Sequence, residues 1–187
     1  HQPALAHRPR RLVLLRRVAR IEIDRLDDVR TLRQVSGVGF LSVAGDPADR
    51  NRVIAGTNGG GVLVSDDRGW TWTSAYPTRA TVTRLVSRSD GVVFGLAGHL
   101  ILRWDDPTAD PRVIALAKEF GRPIAAAVAG REVLVGTTTG DLLLVDLAVS
   151  PFDRAPGAVS ALWASPDEWC HGTVNGQVSC RPSPTAG

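Results

Sequence analysis

A glycine-threonine pattern, G-T-x-x-G, recurs along this 187-residue chain and constrains its fold more than any other feature. Copies begin at Gly56, Gly136 and Gly172, and a degraded copy contains Gly95, so that successive glycines are separated by 39, 41 and 36 residues. Each copy lies between two extended apolar runs, which predicts a β-hairpin closed by a glycine turn. Frequent Gly and Pro residues argue against long helices. The chain is therefore predicted to be all-β and built from repeated units.

Each repeat also has an extended run upstream of the hairpin and a more variable run after it. The upstream strands are predicted at residues 39–43, 82–86, 124–128 and 159–164. Four strands per unit and a period near 40 residues are typical of a β-propeller blade. We therefore predict a small β-propeller of about four to five blades in residues 36–187, with the upstream strands innermost.

The segment from Ser65 to Trp72 fits the pattern S-x-D-x-G-x-T-W and follows the first predicted hairpin. It resembles the Asp-box of sialidase-type β-propellers. Residues 38–72 as a whole resemble the repeat shared by bacterial sialidases, xyloglucan-active hydrolases, sortilin-type receptors and photosystem II assembly factors. In such a turn the aspartate accepts backbone hydrogen bonds, the glycine adopts a positive φ and the second tryptophan covers the turn. The structural residues that the resemblance implies are Ser65, Asp67, Gly69, Thr71 and Trp72.

The same resemblance raises a sialidase-like glycoside hydrolase as an alternative function. Those enzymes use an arginine triad, a tyrosine nucleophile activated by a glutamate, and an acid/base aspartate. Tyr76 is the only tyrosine of this chain and is predicted on an outer turn. Residues 120–124 contain the residue types of the sialidase signature Phe-Arg-Ile-Pro in the wrong order. We expect no catalytic residues, no enzymatic activity and no cofactor.

Positive charge is concentrated in an N-terminal arm, residues 1–35. Residues 1–33 carry nine Arg and four acidic residues, a balance of +5, although the whole chain has a net charge of +3. No aromatic residue interleaves with these arginines, so nucleic-acid contact through phosphates is only a third alternative. Residues 12–23 are predicted as strand, and residues 23–35 fit a strand or a short helix. The candidate partner-binding residues are Arg10, Arg11, Arg16 and Arg17.

The function that we expect is a non-catalytic binding, sensing or scaffolding module of a larger bacterial protein or complex. A rigid ring suits this role because it presents loops for recognition. Four recognisable blades leave sheet edges exposed, so we expect the arm, another protein chain or a missing segment of the same polypeptide to complete the ring. No apolar run approaches 18 residues, which excludes a membrane span and makes a cytoplasmic location the default expectation.

Cys170 and Cys180 lie on the two arms of the last predicted hairpin. A two-residue turn at Val174 and Asn175 would place the two cysteines on opposite faces of the sheet. This register predicts two free, mostly buried thiols and no metal site. The four tryptophans at positions 70, 104, 163 and 169 are expected to pack between sheets, with a binding platform as the alternative.

Overall fold

A computed structural model describes residues 22–23, 30–31, 39–76 and 80–183 of the chain. The regular elements of these residues are β-strands and a single short 3₁₀ turn at Lys118–Phe120, with no α-helix among them. The prediction of an all-β fold is confirmed.

Fifteen strands form four antiparallel sheets, which we call blades I to IV. Blade I contains β3 (Phe40–Gly45), β4 (Val53–Thr57), β5 (Val62–Ser65) and β6 (Thr73–Tyr76). Blade II contains β7 (Arg84–Ser87), β8 (Val93–Ala97), β9 (Leu100–Trp104) and β10 (Arg112–Ala115). Blade III contains β11 (Pro123–Ala129), β12 (Glu132–Thr137), β13 (Asp141–Val145) and β14 (Val149–Arg154). Blade IV contains β15 (Val159–Ala164), β16 (Glu168–Thr173) and β17 (Val178–Pro182), so it has one strand fewer among the described residues.

The blades pack face to face in chain order. Strand β3 contacts β7, β7 contacts β11, and β11 contacts β15, while β15 and β3 make no comparable contact. The described blades therefore form an open arc. Three apolar clusters fill the spaces between successive blades. Their largest fully buried side chains are Ile54 and Trp104 between blades I and II, Phe94 and Leu96 between II and III, and Leu134 and Trp169 between III and IV.

The repeated glycine lets neighbouring blades approach closely. A Cβ atom on Gly136 would lie 2.4 Å from Cγ1 of Val159, and one on Gly56 would lie 2.7 Å from the carbonyl oxygen of Val82. Val159 and Val82 belong to the segments that open the next blade, so a residue larger than glycine would push the blades apart.

Blade II departs from this pattern. In blade II the last pair before the hairpin loop is Ala97 and Leu100, which leaves two residues in the loop. In blade I the last pair is Thr57 and Gly61, so that loop has three residues. A Cβ atom on Gly95 would meet Trp104 and Leu85 of its own blade. The degraded copy of the repeat is therefore not structurally equivalent to the others.

The repeated threonine closes the hairpin loop. The Oγ1 atom of Thr57 donates to the carbonyl oxygen of Gly61 at 2.8 Å and accepts from the amide of Gly60 at 3.1 Å. The hydroxyl oxygens of Thr137 and Thr173 accept the amide four residues later, at 3.0 and 3.3 Å. Because these hydroxyls are buried, each loop amide keeps a partner.

Cys170 and Cys180 form a disulfide, so the prediction of two free thiols is wrong. The last hairpin closes with the amide of Thr173 donating to the carbonyl of Gln177, and Gly176 has a φ of 80°. A three-residue loop with a left-handed glycine is a common hairpin connection. This register pairs the two cysteines directly on one face of blade IV.

The N-terminal arm is described only in part. Strands β1 (Glu22–Ile23) and β2 (Arg30–Thr31) form a short antiparallel pair. The helical alternative for residues 23–35 is therefore wrong at residues 30–31, while the division of the chain near residue 35 stays a prediction. Most of the predicted strand at 12–23 lies outside the described residues, as do Arg10, Arg11, Arg16 and Arg17.

We expect Gly136→Ala to destabilise the protein, because the added methyl group would overlap Val159 between blades III and IV. Overpacking of this kind costs about 1–3 kcal/mol. Gly45→Ala is the matched control, since a Cβ atom there meets nothing within 4 Å. Chemical denaturation of the two variants measures the difference. Equal stabilities would show that blades III and IV do not pack in this way.

Candidate functional surfaces

The carboxylate of Asp67 organises the turn between β5 and β6. Its Oδ1 atom accepts hydrogen bonds from the amide of Thr71 at 2.8 Å and from Oγ of Ser65 at 2.7 Å. Its Oδ2 atom accepts from Oγ1 of Thr71 at 2.6 Å. The Ser65 hydroxyl oxygen accepts from the buried amide of Gly69 at 2.7 Å. Gly69 has a φ of 90°, and Arg68 before it also lies in the left-handed region, at 62°.

Trp72 fastens this turn to the sheet. Its indole Nε1 donates to the carbonyl oxygen of Gly69 at 3.1 Å, and its ring centroid lies 5.4 Å from that of Phe40 on β3. Hydrogen bonds, chiefly from Thr71, hold the pKa of Asp67 at about 2, below its usual value. The structure thus brings all five motif residues together, and their contacts are with one another and with the surrounding sheet.

Tyr76, the nucleophile candidate of the hydrolase alternative, is the last residue of strand β6 and is half-buried, so its predicted position on an outer turn is wrong. Its ring meets that of Trp104 edge to face, with centroids 6.1 Å apart, in the apolar cluster between blades I and II. Phe120, from the signature-like segment, packs against the cluster between blades II and III, while Arg122 is exposed. These residues do not converge on one site.

A cleft of about 350 Å³ lies between blades II and III. Arg88 forms two hydrogen bonds with Asp90, at 2.6 and 2.9 Å, and a third with Asp146 at 2.9 Å. Arg103 also faces Asp146, at 3.3 Å, and donates to Asp105. The residues lining the cleft are Arg88, Ser89, Asp90, Gly130, Arg131 and Asp146.

Arg88, which lines the cleft, and Arg103, which shares Asp146 with it, are both buried and paired with carboxylates. The pKa of Arg88 is raised, chiefly by its hydrogen bonds with the side chain of Asp90. The same hydrogen bonds hold the pKa of Asp90 at about 2, below its usual value. Both guanidinium groups lie about 6 Å from the ring of Phe94, at 6.0 and 5.9 Å. Since carboxylates neutralise Arg88 and Arg103, the arrangement ties two blades together and does not act as an open anion site. Sequence reasoning missed it because Arg88 and Asp146 are 58 residues apart.

Glu168, Cys170 and Cys180 are the one acidic and sulfur-bearing cluster of the described residues with metal-like spacing. Because the two cysteines form a disulfide, their sulfur atoms are not thiolate ligands. His171 points to the other face of blade IV, where its ring stacks on Trp169 at 5.6 Å and burial lowers its pKa. Its contacts are those of a packed core residue.

Large apolar side chains are exposed on the two outward faces of the arc. Leu41 and Val43 on β3 are 48% and 46% exposed. At the other end, Trp163 on β15 is 54% exposed and Val178 on β17 is 76% exposed. Trp104 and Trp169, in contrast, are 1% exposed, so the expectation of packed tryptophans holds for them. It does not hold for Trp163, nor for Trp70, which is 38% exposed.

Strand β17 is the outer edge of blade IV among the described residues. In an antiparallel ladder, residue pairs joined by backbone hydrogen bonds alternate with pairs that are not. Thr173 and Gln177 form a hydrogen-bonded pair, so the next pair, which contains Val178, is not hydrogen-bonded across the ladder. Val178 and Cys180 therefore direct their backbone groups towards the free edge. Pro182, which has no amide hydrogen, limits the length of edge that another strand can pair with.

The sequence matches no established family, and no curated protein matches it. Among solved structures, the chain resembles YCF48 from Cyanidioschyzon merolae at 13% identity, covering 83% of this chain and 56% of that one with a TM-score of 0.66. It resembles the WD40 repeats of RRP9 at 14% identity, covering 83% and 54% with a TM-score of 0.67. The fold is that of a β-propeller. The computationally designed Ika4 protein matches over 79% of this chain and 92% of its own, at 19% identity and a TM-score of 0.64.

The chain thus spans about half the length of these two longer propellers. No helix in the described part of the chain is long and apolar enough to cross a membrane.

We expect Asp67→Ala to lower the unfolding temperature at neutral pH, because the amide and hydroxyl of Thr71 lose their acceptor. A carboxyl with a depressed folded-state pKa stabilises above its ordinary pKa of 3.8 and loses this effect as the pH falls towards 2. The difference in unfolding temperature between the parent and Asp67→Ala should therefore become smaller as the pH falls from 4 to 2. Asp66→Ala, which removes an exposed ion pair with Arg52, is the control. A difference that stays constant across this pH range would contradict the role of the ionised Asp67 carboxylate in this turn.

Proposed function

We propose that this chain is a non-catalytic β-propeller module that binds protein partners within a larger protein or complex. The observation that carries the proposal is the pair of faces at the ends of the arc that no other described blade covers. Large apolar side chains grouped on an exposed face are typical of protein–protein interaction sites. The faces carry Leu41 and Val43 at one end and Trp163 and Val178 at the other.

The packing of the hydrolase candidates supports a non-catalytic role. Tyr76 contributes its ring to the core between blades I and II. The buried Arg88 and Arg103 are paired with carboxylates and are not presented to a ligand. A glycosidase needs its nucleophile and acid/base groups on one exposed site, and the described residues supply no such set around Tyr76.

We further propose that residues 65–72 form an Asp-box and that the propeller is related to the sialidase-like group. The hydrogen bonds of Asp67 and Ser65 and the positive φ of Gly69 support this relationship. The relationship concerns the fold, because the motif residues are used in their own turn. Nucleic-acid contact by the arm, and any bacterial origin, are supported only by the sequence.

The disulfide between Cys170 and Cys180 favours a different compartment from the cytoplasm that the sequence suggests. Disulfides persist in oxidising environments such as the periplasm or the cell exterior and are rare in the cytosol. We infer that the module works in an oxidising compartment.

The proposed function is tested by site-specific photo-crosslinking in an extract of the source cells. A photoreactive amino acid replaces Trp163 on the open face of blade IV. The control places it at Val113, which is 49% exposed on the outer strand of blade II. We expect crosslinked protein at position 163 and not at position 113, and the same product should disappear in a competition with excess unlabelled chain.

Equal crosslinking at the two positions would contradict this function. So would hydrolysis of sialosides or β-glucans by the purified chain, if Tyr76→Phe abolished the turnover.

A further inference from the structure

The glycine of the repeat has a different environment on blade IV from that on blades I and III. On blades I and III a Cβ atom at this position would collide with a valine that opens the next blade, Val82 or Val159. On blade IV a Cβ atom at Gly172 would meet one atom within 4 Å, the Cβ of Ala161 at 3.6 Å. Blade IV therefore keeps the small residue that admits a following blade, while the described residues leave the place beside it open.

Two neighbouring rows of residues around Gly172 are small, apolar or disulfide-bonded, and the carboxylate of Glu168 lies beside the disulfide at their margin. Across blade IV, Ala161 pairs with Gly172 and Gly172 with Val178. In the adjacent row, Trp163 pairs with Cys170, which is joined to Cys180. The side chains of Trp163 and Val178 are the most exposed large apolar groups of these rows. A sheet face with this composition can pack on the face of another blade.

Blade I carries the matching half of the contact. Phe40 pairs with Thr57 and is followed by a register shift before Ser42, just as Val159 pairs with Thr173 and is followed by a shift before Ala161. Phe40 thus holds in blade I the position that Val159 uses to fill the glycine site of the preceding blade. Leu41 and Val43, which follow it, are about half exposed.

We propose that a second copy of this chain completes the ring, with blade I of each copy packed on blade IV of the other and Phe40 directed to Gly172. This inference rests on the proposed function and names its partner. Both halves of the contact are present on one chain, so two copies related by a half-turn form two identical interfaces that cover the end faces of the described blades. The chain spans 54% and 56% of the RRP9 and YCF48 propellers, so two copies supply about the length of one longer propeller.

The test is the mass of the full 187-residue chain in solution, measured by light scattering over a dilution series under non-reducing conditions. We expect a particle of twice the chain mass. Gly172→Val should weaken association about tenfold or more by blocking the open site, and Trp163→Glu should do the same by placing a charge in the interface. Val113→Glu, an equally exposed apolar position away from the two faces, should leave the dimer unchanged.

A mixing experiment tests the head-to-tail arrangement. Val43→Glu disrupts only the blade I side and Trp163→Glu only the blade IV side, so each variant alone should be monomeric. Their mixture retains one intact interface, between the unaltered blade IV of the first variant and the unaltered blade I of the second, and should form a dimer. A dimer through two copies of the same face predicts no such recovery, and that result would overturn the arrangement.

The remaining outcomes separate this inference from the proposed function. A monomeric parent in which Trp163→Glu lowers the free energy of unfolding would show that another segment of the same chain covers blade IV, and it would overturn the second copy as occupant. A monomeric parent that crosslinks to a different protein at position 163 would overturn the second copy and leave the proposed function standing. A monomer that crosslinks to nothing would overturn both. A dimer that persists in Gly172→Val and Trp163→Glu would overturn the assigned interface.

Discussion

The close approach of one blade to the next, across a glycine, determines the architecture of this protein. At Gly56 and Gly136 the sheet has no side chain where the following blade begins, and a valine occupies the space. Apolar residues from both sheets then fill the surrounding volume, with Trp104 and Trp169 as the largest. Because each contact joins only neighbouring blades, the same packing can repeat from one blade to the next. The series of described blades ends at blade IV, whose outer face is covered by no other described blade.

Among the described residues, hydrogen bonds of polar side chains close the turns and join neighbouring blades. Buried threonine hydroxyls close the hairpin loops, and Asp67 closes the turn between the outer strands of blade I. Between blades II and III, Arg88 and Arg103 share Asp146. In each case the hydrogen-bonding capacity is used inside the protein. Among the described residues, the two ends of the arc expose Leu41 and Val43 on one side and Trp163 and Val178 on the other. This surface is the basis of the proposed binding function.

The sequence predicted the all-β fold, the repeat and the innermost strands, because these depend on local spacing. It failed where one residue of loop length decides the outcome. The three-residue loop after Thr173 places Cys170 and Cys180 on the same face, whereas a two-residue loop would separate them. The cleft around Arg88 was not foreseen because its partners come from different blades. Exposure of Trp163 could not be read from the sequence either, since hydrophobicity does not reveal whether a neighbouring sheet is present.

The open arc is tested most directly by distances between spin labels on exposed loops at the same end of the blades. Labels carried by unnatural amino acids, which leave the disulfide intact, replace Arg50 on blade I and Pro166 on blade IV, and a reference pair replaces Arg131 on blade III and Pro166. Labelled chain is diluted with unlabelled chain so that only distances within one molecule are measured. We expect a clearly longer distance between positions 50 and 166 than between positions 131 and 166 on the adjacent blades III and IV. Equal distances would mean that blade IV already packs on blade I of its own chain and would contradict the open arc.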